Sequence, residues 1–155
     1  MPHLARGRKY VYGWSKVGES GAIAVPEEAM GVYGLKEWDK VVLMSGSRRS
    51  GGFALTTPSL LAGTPLSAVL RRFPRLRTFQ MAEGRTVRVE GRAFCWTTIQ
   101  EGGYITLPGE ALREYGIMPG DLLLSVKGSR LALGFALRGP LVEEAITHPE
   151  LEVPE

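Results

Sequence analysis

A chain of 155 residues can form one domain of ordinary size or two very small ones, and a hydrophobic content of 44% suffices for a buried core. No apolar run approaches the roughly 18 to 20 residues of a membrane-spanning helix, and the start, MPHLARGRKYVYGW, lacks the apolar stretch of a secretory signal. The net charge of +3 is unevenly placed: residues 1–16 carry Arg6, Arg8, Lys9 and Lys16 without an acid, residues 71–92 carry seven arginines against Glu83 and Glu90, and five glutamates follow Arg138. Such segregation points to a polyanionic partner, nucleic acid first, as much as to a solvated surface. A single cysteine, Cys95, excludes an intrachain disulfide and fits a reducing cytoplasm.

Twenty glycines and ten prolines favour turns and short elements over long helices. From the N-terminal side, Trp14–Val17 reads as a short strand, and a glycine turn follows. Ala22–Val25 alternates in the strand manner, with Ile23 and Val25 on one face. Pro26 suits a first helical position and Gly34 a left-handed helix end, so about two helical turns lie between them. Ala29 and Tyr33 share one helix face. A turn ending at Asp39 leads to a strand, Val41–Met44, and Gly46-Ser47 suits a two-residue type II′ hairpin whose return strand ends in GFAL. Next, Thr64-Pro65 reads as the cap and first residue of a helix over LSAVLRRF, stopped by Pro74. RTFQM and RTVRVE are expected to pair as a hairpin around AEG. From Trp96 the first pattern returns, and LVEEAITHPELEVPE ends the chain as a short helix and acidic tail.

That return is a repeat. At a shift of 82 residues, without gaps, 18 positions between 14 and 58 are identical to their counterparts. They include Trp14/Trp96, Gly21/Gly103, Ile23/Ile105, Pro26/Pro108, Tyr33/Tyr115, Asp39/Asp121 and GFAL at 52–55 and 134–137. Each unit is therefore strand, turn, strand, short helix, turn and hairpin, and the segment between the units has no counterpart in either.

A strand, then G-x-I-x-[VL]-P, a short helix, G-[LI] and a turn ending in Asp resembles the AbrB/SpoVT/MazE class of swapped-hairpin DNA-binding domains. Two copies in one chain resemble its MraZ-like tandem organisation. The resemblance implies a mainly β fold with short helices: a duplicated AbrB-like β-barrel formed as a pseudo-dimer, with a helical connector. Residues 10–57 would be unit 1, 58–91 the basic connector, 92–139 unit 2, and 140–155 the C-terminal helix and tail. Pairing within one chain and pairing between two chains are both compatible with the repeat. The implied function is a cytoplasmic transcriptional regulator that binds duplex DNA through a two-fold body. Phosphate contacts would come from Lys16, Arg113, Arg71, Arg72, Arg75 and Arg77, with Arg8 and Lys9 as an arm and the short helix facing the major groove.

Class members often carry arginine after the turn glycine and in the short helix. Here those places hold Ala22, Tyr104 and Met30, while Arg113 remains. A second expectation is therefore a protein-interaction or assembly module, homo-oligomeric or bound to a protein partner, that has lost DNA contacts. Trp14, Trp96, Tyr33 and Tyr115 are expected in the core, Glu28 and Glu110 at helix starts, and Asp39 and Asp121 as turn residues bonded to backbone. No catalytic residue, cofactor or metal site is expected. His3 and His148 stand near the ends, Cys95 has no histidine nearby in sequence, and no phosphate-binding loop or nucleophile motif occurs.

Overall fold

Residues 11–128 and 131–147 are described by the computed structural model. Arg8, Lys9, Arg130 and the acidic tail lie outside them. Among the described residues nine strands form: β1 (Val11–Lys16), β2 (Ala22–Ala24), β3 (Lys40–Ser45), β4 (Phe53–Thr56), β5 (Val87–Val89), β6 (Arg92–Thr98), β7 (Tyr104–Thr106), β8 (Leu122–Lys127) and β9 (Leu133–Ala136). The helices are α1 (Glu27–Tyr33), α2 (Pro58–Leu61), α3 (Ser67–Arg72), α4 (Pro74–Arg77), α5 (Gly109–Glu114) and α6 (Pro140–Ile146). The fold is mainly β, with a seven-stranded antiparallel sheet in the order β1-β8-β9-β4-β3-β6-β5 and a separate β2-β7 ribbon.

The repeat governs this order. The first strand of each copy pairs with the third strand of the other: Trp14 stands opposite Leu124, and Trp96 opposite Val42, its exact equivalent at the 82-residue shift. The second strands pair with one another at Ile23 and Ile105, and the fourth at Phe53 and Phe135, so these residues face their own counterparts. Loop contacts obey the same relation. The Val25 amide bonds the Gly103 carbonyl at 2.8 Å, and the Leu107 amide bonds that of Gly21 at 3.1 Å. Strand pairing between the copies thus occurs within one chain.

Strand alternation sorts the side chains into three apolar layers. Val41, Leu43, Phe53, Leu55, Cys95, Leu123, Leu133 and Phe135 face inward and meet Ile23, Ile105 and the helices α1 and α5. On the outer face, Val42, Met44, Phe94 and Trp96 are covered by Val69, Leu70 and Leu76 of the connector helices. Farther along, Leu124, Val126 and Ala136 are covered by Val142 and Ala145 of α6. The central core therefore draws on both copies, and each outer cluster has its own helical lid.

Several expectations need correction. The barrel is not closed by hydrogen bonds: the ladder ends at β1 and β5, and the β2-β7 ribbon pairs only with itself, joining through side-chain packing. The expected type II′ turn at Gly46-Ser47 is a longer loop. The Gly46 amide bonds the Gly52 carbonyl at 3.0 Å, and the positive φ values belong to Gly51 and Gly52. At Gly52 a Cβ would lie 2.0 Å from the Phe135 carbonyl oxygen, so close strand approach at the centre of the repeat requires glycine. RTFQM is not a strand. β5 pairs instead with β6, through a Glu90-Gly91 turn with both φ values positive, the geometry of a type I′ hairpin. Pro26 and Pro108 occupy the position before the first helical residue rather than the first itself. Helix α3 likewise begins at Ser67, after Thr64-Pro65, and a short helix unforeseen from the pattern, α2, starts where the Thr57 hydroxyl accepts from the Leu60 amide.

Candidate nucleic-acid interface

The connector positions its arginines by burying what lies between them. In α3, Val69 and Leu70 enter the outer cluster, which leaves Arg71 and Arg72 exposed. Pro74 opens α4, Leu76 is fully buried, and Arg75 and Arg77 flank it on the outside. The return segment is tied down by Trp96, whose indole N–H donates to the Met81 carbonyl at 2.7 Å. Glu83 adds a second tie, accepting from the Thr97 hydroxyl at 3.0 Å and the Thr98 amide at 2.8 Å. A segment outside the repeat is thereby docked onto the sheet by a residue of the repeat.

The arginines differ in what they touch. Arg72 pairs with Glu90 at 3.3 Å, both exposed, a contact of little energetic weight. Arg88 pairs with Glu114 at 2.5 Å and joins the connector to α5. Arg71 donates to the Ser67 hydroxyl at 3.1 Å, one turn back on its own helix. Among the described residues, Arg75, Arg77 and Arg85 have no ion pair and are exposed. They form one part of the surface where basic side chains stand unneutralised in sequence proximity.

Lys16 and Arg113 stand elsewhere. Lys16 ends β1, an edge strand, whereas the connector packs over β3 and β6. Arg113 lies on α5, which buries Ala111 and Leu112 in the central core, on the opposite face of the sheet from the connector helices α3 and α4. The repeat offers neither a mate: Thr98 stands at the position of Lys16, and Gly31 at that of Arg113. The two-fold relation therefore does not present these charges twice. The short helices carry Glu27 and Glu28 in α1 and Glu110 in α5 near their first turns, where negative charge complements the helix dipole. The expected site residues thus fall into three places, of which the connector alone concentrates positive charge.

A further aromatic feature adjoins the connector. Lys40 Nζ lies 5.7 Å from the Phe79 ring centroid and 5.4 Å from that of Trp96, within cation–π range of both. Trp38, 64% exposed, and Phe79 line a neighbouring cleft with Tyr33 and Lys40. Trp38 has φ of 73°, and its counterpart Gly120 has φ of 96°. The cause is shared: the Trp38 amide bonds the Ile99 carbonyl at 2.6 Å, and the Gly120 amide bonds that of Val17 at 2.7 Å. The fold demands a left-handed residue at both places, and one copy meets the demand with tryptophan. The mismatch between Trp38 and Gly120 in the aligned repeats was the available signal for this residue.

The remaining singled-out residues are structural. Asp39 and Asp121 accept from the amides of Lys36 and Met118, each at 2.9 Å, and stabilise the turns. Tyr33 donates to the Ala132 carbonyl at 2.9 Å. Cys95 is buried with its Sγ 3.2 Å from the Tyr115 hydroxyl. Burial pushes the thiol up from near 9 to about 11, and the hydrogen bond offsets this in part. Burial also raises Tyr115, and the neighbouring Cys95 adds to that rise. Among the described residues, no group of three His, Cys, Asp or Glu is placed to hold a metal ion, and no helix is long and apolar enough to cross a membrane.

No family model and no curated protein matches the chain. Among solved structures it is similar to the solution structure of PHS018 from Pyrococcus horikoshii, at 18% identity and a TM-score of 0.38, over 90% of this chain and 100% of that one. A likeness at that level carries no inference about function.

Proposed function

We propose that the chain is a DNA-binding transcriptional regulator with a duplicated, swapped-hairpin body of the AbrB type. The observation that carries this reading is the reciprocal strand exchange, in which the first strand of each copy pairs with the third strand of the other at one constant shift. Exposed Arg71, Arg75 and Arg77 contact phosphates, and Arg85 extends the same basic run. Lys16 and Arg113 are peripheral, and the acidic first turns of α1 and α5 turn away from the duplex. Contacts of this kind bind the backbone and read sequence through DNA shape rather than base edges. A regulator of this kind works in the cytoplasm, where its buried thiol stays reduced.

Titration with duplex DNA at two salt concentrations tests the proposal. Binding is expected to weaken steeply between about 50 and 200 mM salt, and neutralising Arg71, Arg75 and Arg77 together should flatten the log–log slope by about three. Absence of binding at the lower salt overturns the reading. A second reading, a protein-interaction module, is favoured by one observation: the exposed Trp38 beside Lys40 and Phe79. Under that reading Trp38→Gly abolishes partner capture, and the connector arginines have no effect on it.

A further inference from the structure

The outer face of the sheet is covered unevenly. The connector helices lie over β3 and β6, and α6 lies over β8 and the adjoining part of β9. Between the two lids the strands β4 and β9 meet at the centre of the repeat, and there the outward positions hold the smallest side chains: Ala54, Gly134 and Ala136. The inward neighbours on the same strands, Phe53 and Phe135, fill the central core and stack at 4.7 Å between ring centroids. Large residues inside and small ones outside leave a trough. Leu66 of the connector side and Leu141 of α6 line it, and its volume is about 670 Å³. Volumes of roughly 300 to 1,000 Å³ are those of small-molecule sites.

The trough has one sign of charge. Arg49, Arg92 and Arg138 line it, and among the described residues no Asp or Glu does. Two of the three are held in place by the protein: Arg138 donates to the Arg48 carbonyl at 2.9 Å, and Arg92 approaches the Met44 sulfur at 3.7 Å. None of the three has an ion pair among the described residues. Guanidinium groups gathered around an apolar floor, without a counter-charge, match a ligand that brings both an apolar body and an anionic head.

We infer that this trough binds a small amphipathic anion, with an acyl or aryl body over Ala54, Gly134 and Ala136 and a carboxylate or phosphate head among Arg49, Arg92 and Arg138. The inference does not depend on DNA binding. Calorimetric titration of the full chain with decanoate and with decyl phosphate, each below its micellar concentration, tests it and ranks the two heads. Decanol and decyltrimethylammonium serve as controls. At least one anion is expected to bind with one-to-one stoichiometry, about tenfold or more tighter than decanol, with no binding of the cation. Ala54→Leu fills the floor and should abolish binding. Arg49→Gln, on an exposed loop where folding is not at risk, should weaken it about tenfold, while Lys36→Gln, in the exposed turn after α1 and outside the trough lining, leaves it unchanged. The inference is overturned by absence of saturable binding of both anions up to about 1 mM, by equal binding of the cation, or by wild-type affinity in both Ala54→Leu and Arg49→Gln.

Discussion

Trp38 holds a backbone conformation that costs an L-residue roughly 1 to 2 kcal/mol, and most of its ring is in water. Its neighbours cannot relieve it, because the amide bond to Ile99 repeats that of Gly120 to Val17. Trp38→Gly should therefore raise the unfolding free energy by about 1 kcal/mol, the relief exceeding the entropic cost of glycine, and urea denaturation measures it. Cys95 offers a second test at this scale. Its native value of about 11 lies above the ordinary value near 9, so its stabilising contribution is intact below pH 9 and is lost as pH rises toward 11. Tyr115, raised by burial, acts in the same sense. Stability is expected to fall over that window, less steeply in Cys95→Ala, and the native thiol should resist alkylation until the chain unfolds.

At the scale of elements, the connector behaves as a lid attached to the repeat by a few side chains. Trp96→Phe removes the bond to the Met81 carbonyl while keeping most of the apolar ring, and should cost about 1 to 2 kcal/mol. Faster hydrogen exchange confined to the segment around residues 78–84, with the strands β3 and β6 still protected, would locate the loss. Elements whose signal is local were legible in the sequence: α1, set between Pro26 and a left-handed Gly34, and the turns held by Asp39 and Asp121. The hairpin expected around AEG was not. Alternation in RTVRVE showed a strand, but its partner is β6, and choosing between partners depends on which strand's apolar face needs covering.

The whole molecule depends on both copies. β1 has its partner in β8, and β6 has its repeat partner in β3, so a single copy leaves its first strand without that partner, its third strand paired only to its own fourth strand, and half of the central core exposed. Residues 1–82 expressed alone should yield no folded monomer, only an unfolded chain or a self-paired dimer, as read by circular dichroism and sedimentation. A folded monomer from one half would contradict the strand exchange described above. The uneven charge belongs to this scale too: the two-fold relation duplicates the core but not Lys16 or Arg113, so the body does not present its basic residues symmetrically.

The sequence by itself determined the repeat, the order of strands and helix within it and most of the residues buried in each copy, though Trp14 is only half-buried, because these follow from identity at a fixed shift and from local periodicity. Only the tertiary structure decided that the copies exchange strands within one chain, that the ladder stays open between β1 and β5, and that Arg49, Arg92 and Arg138 line one trough. The reason is physical. Pairing partners and shared cavities arise from residues far apart in the chain, and nothing in the local pattern of either segment records the other.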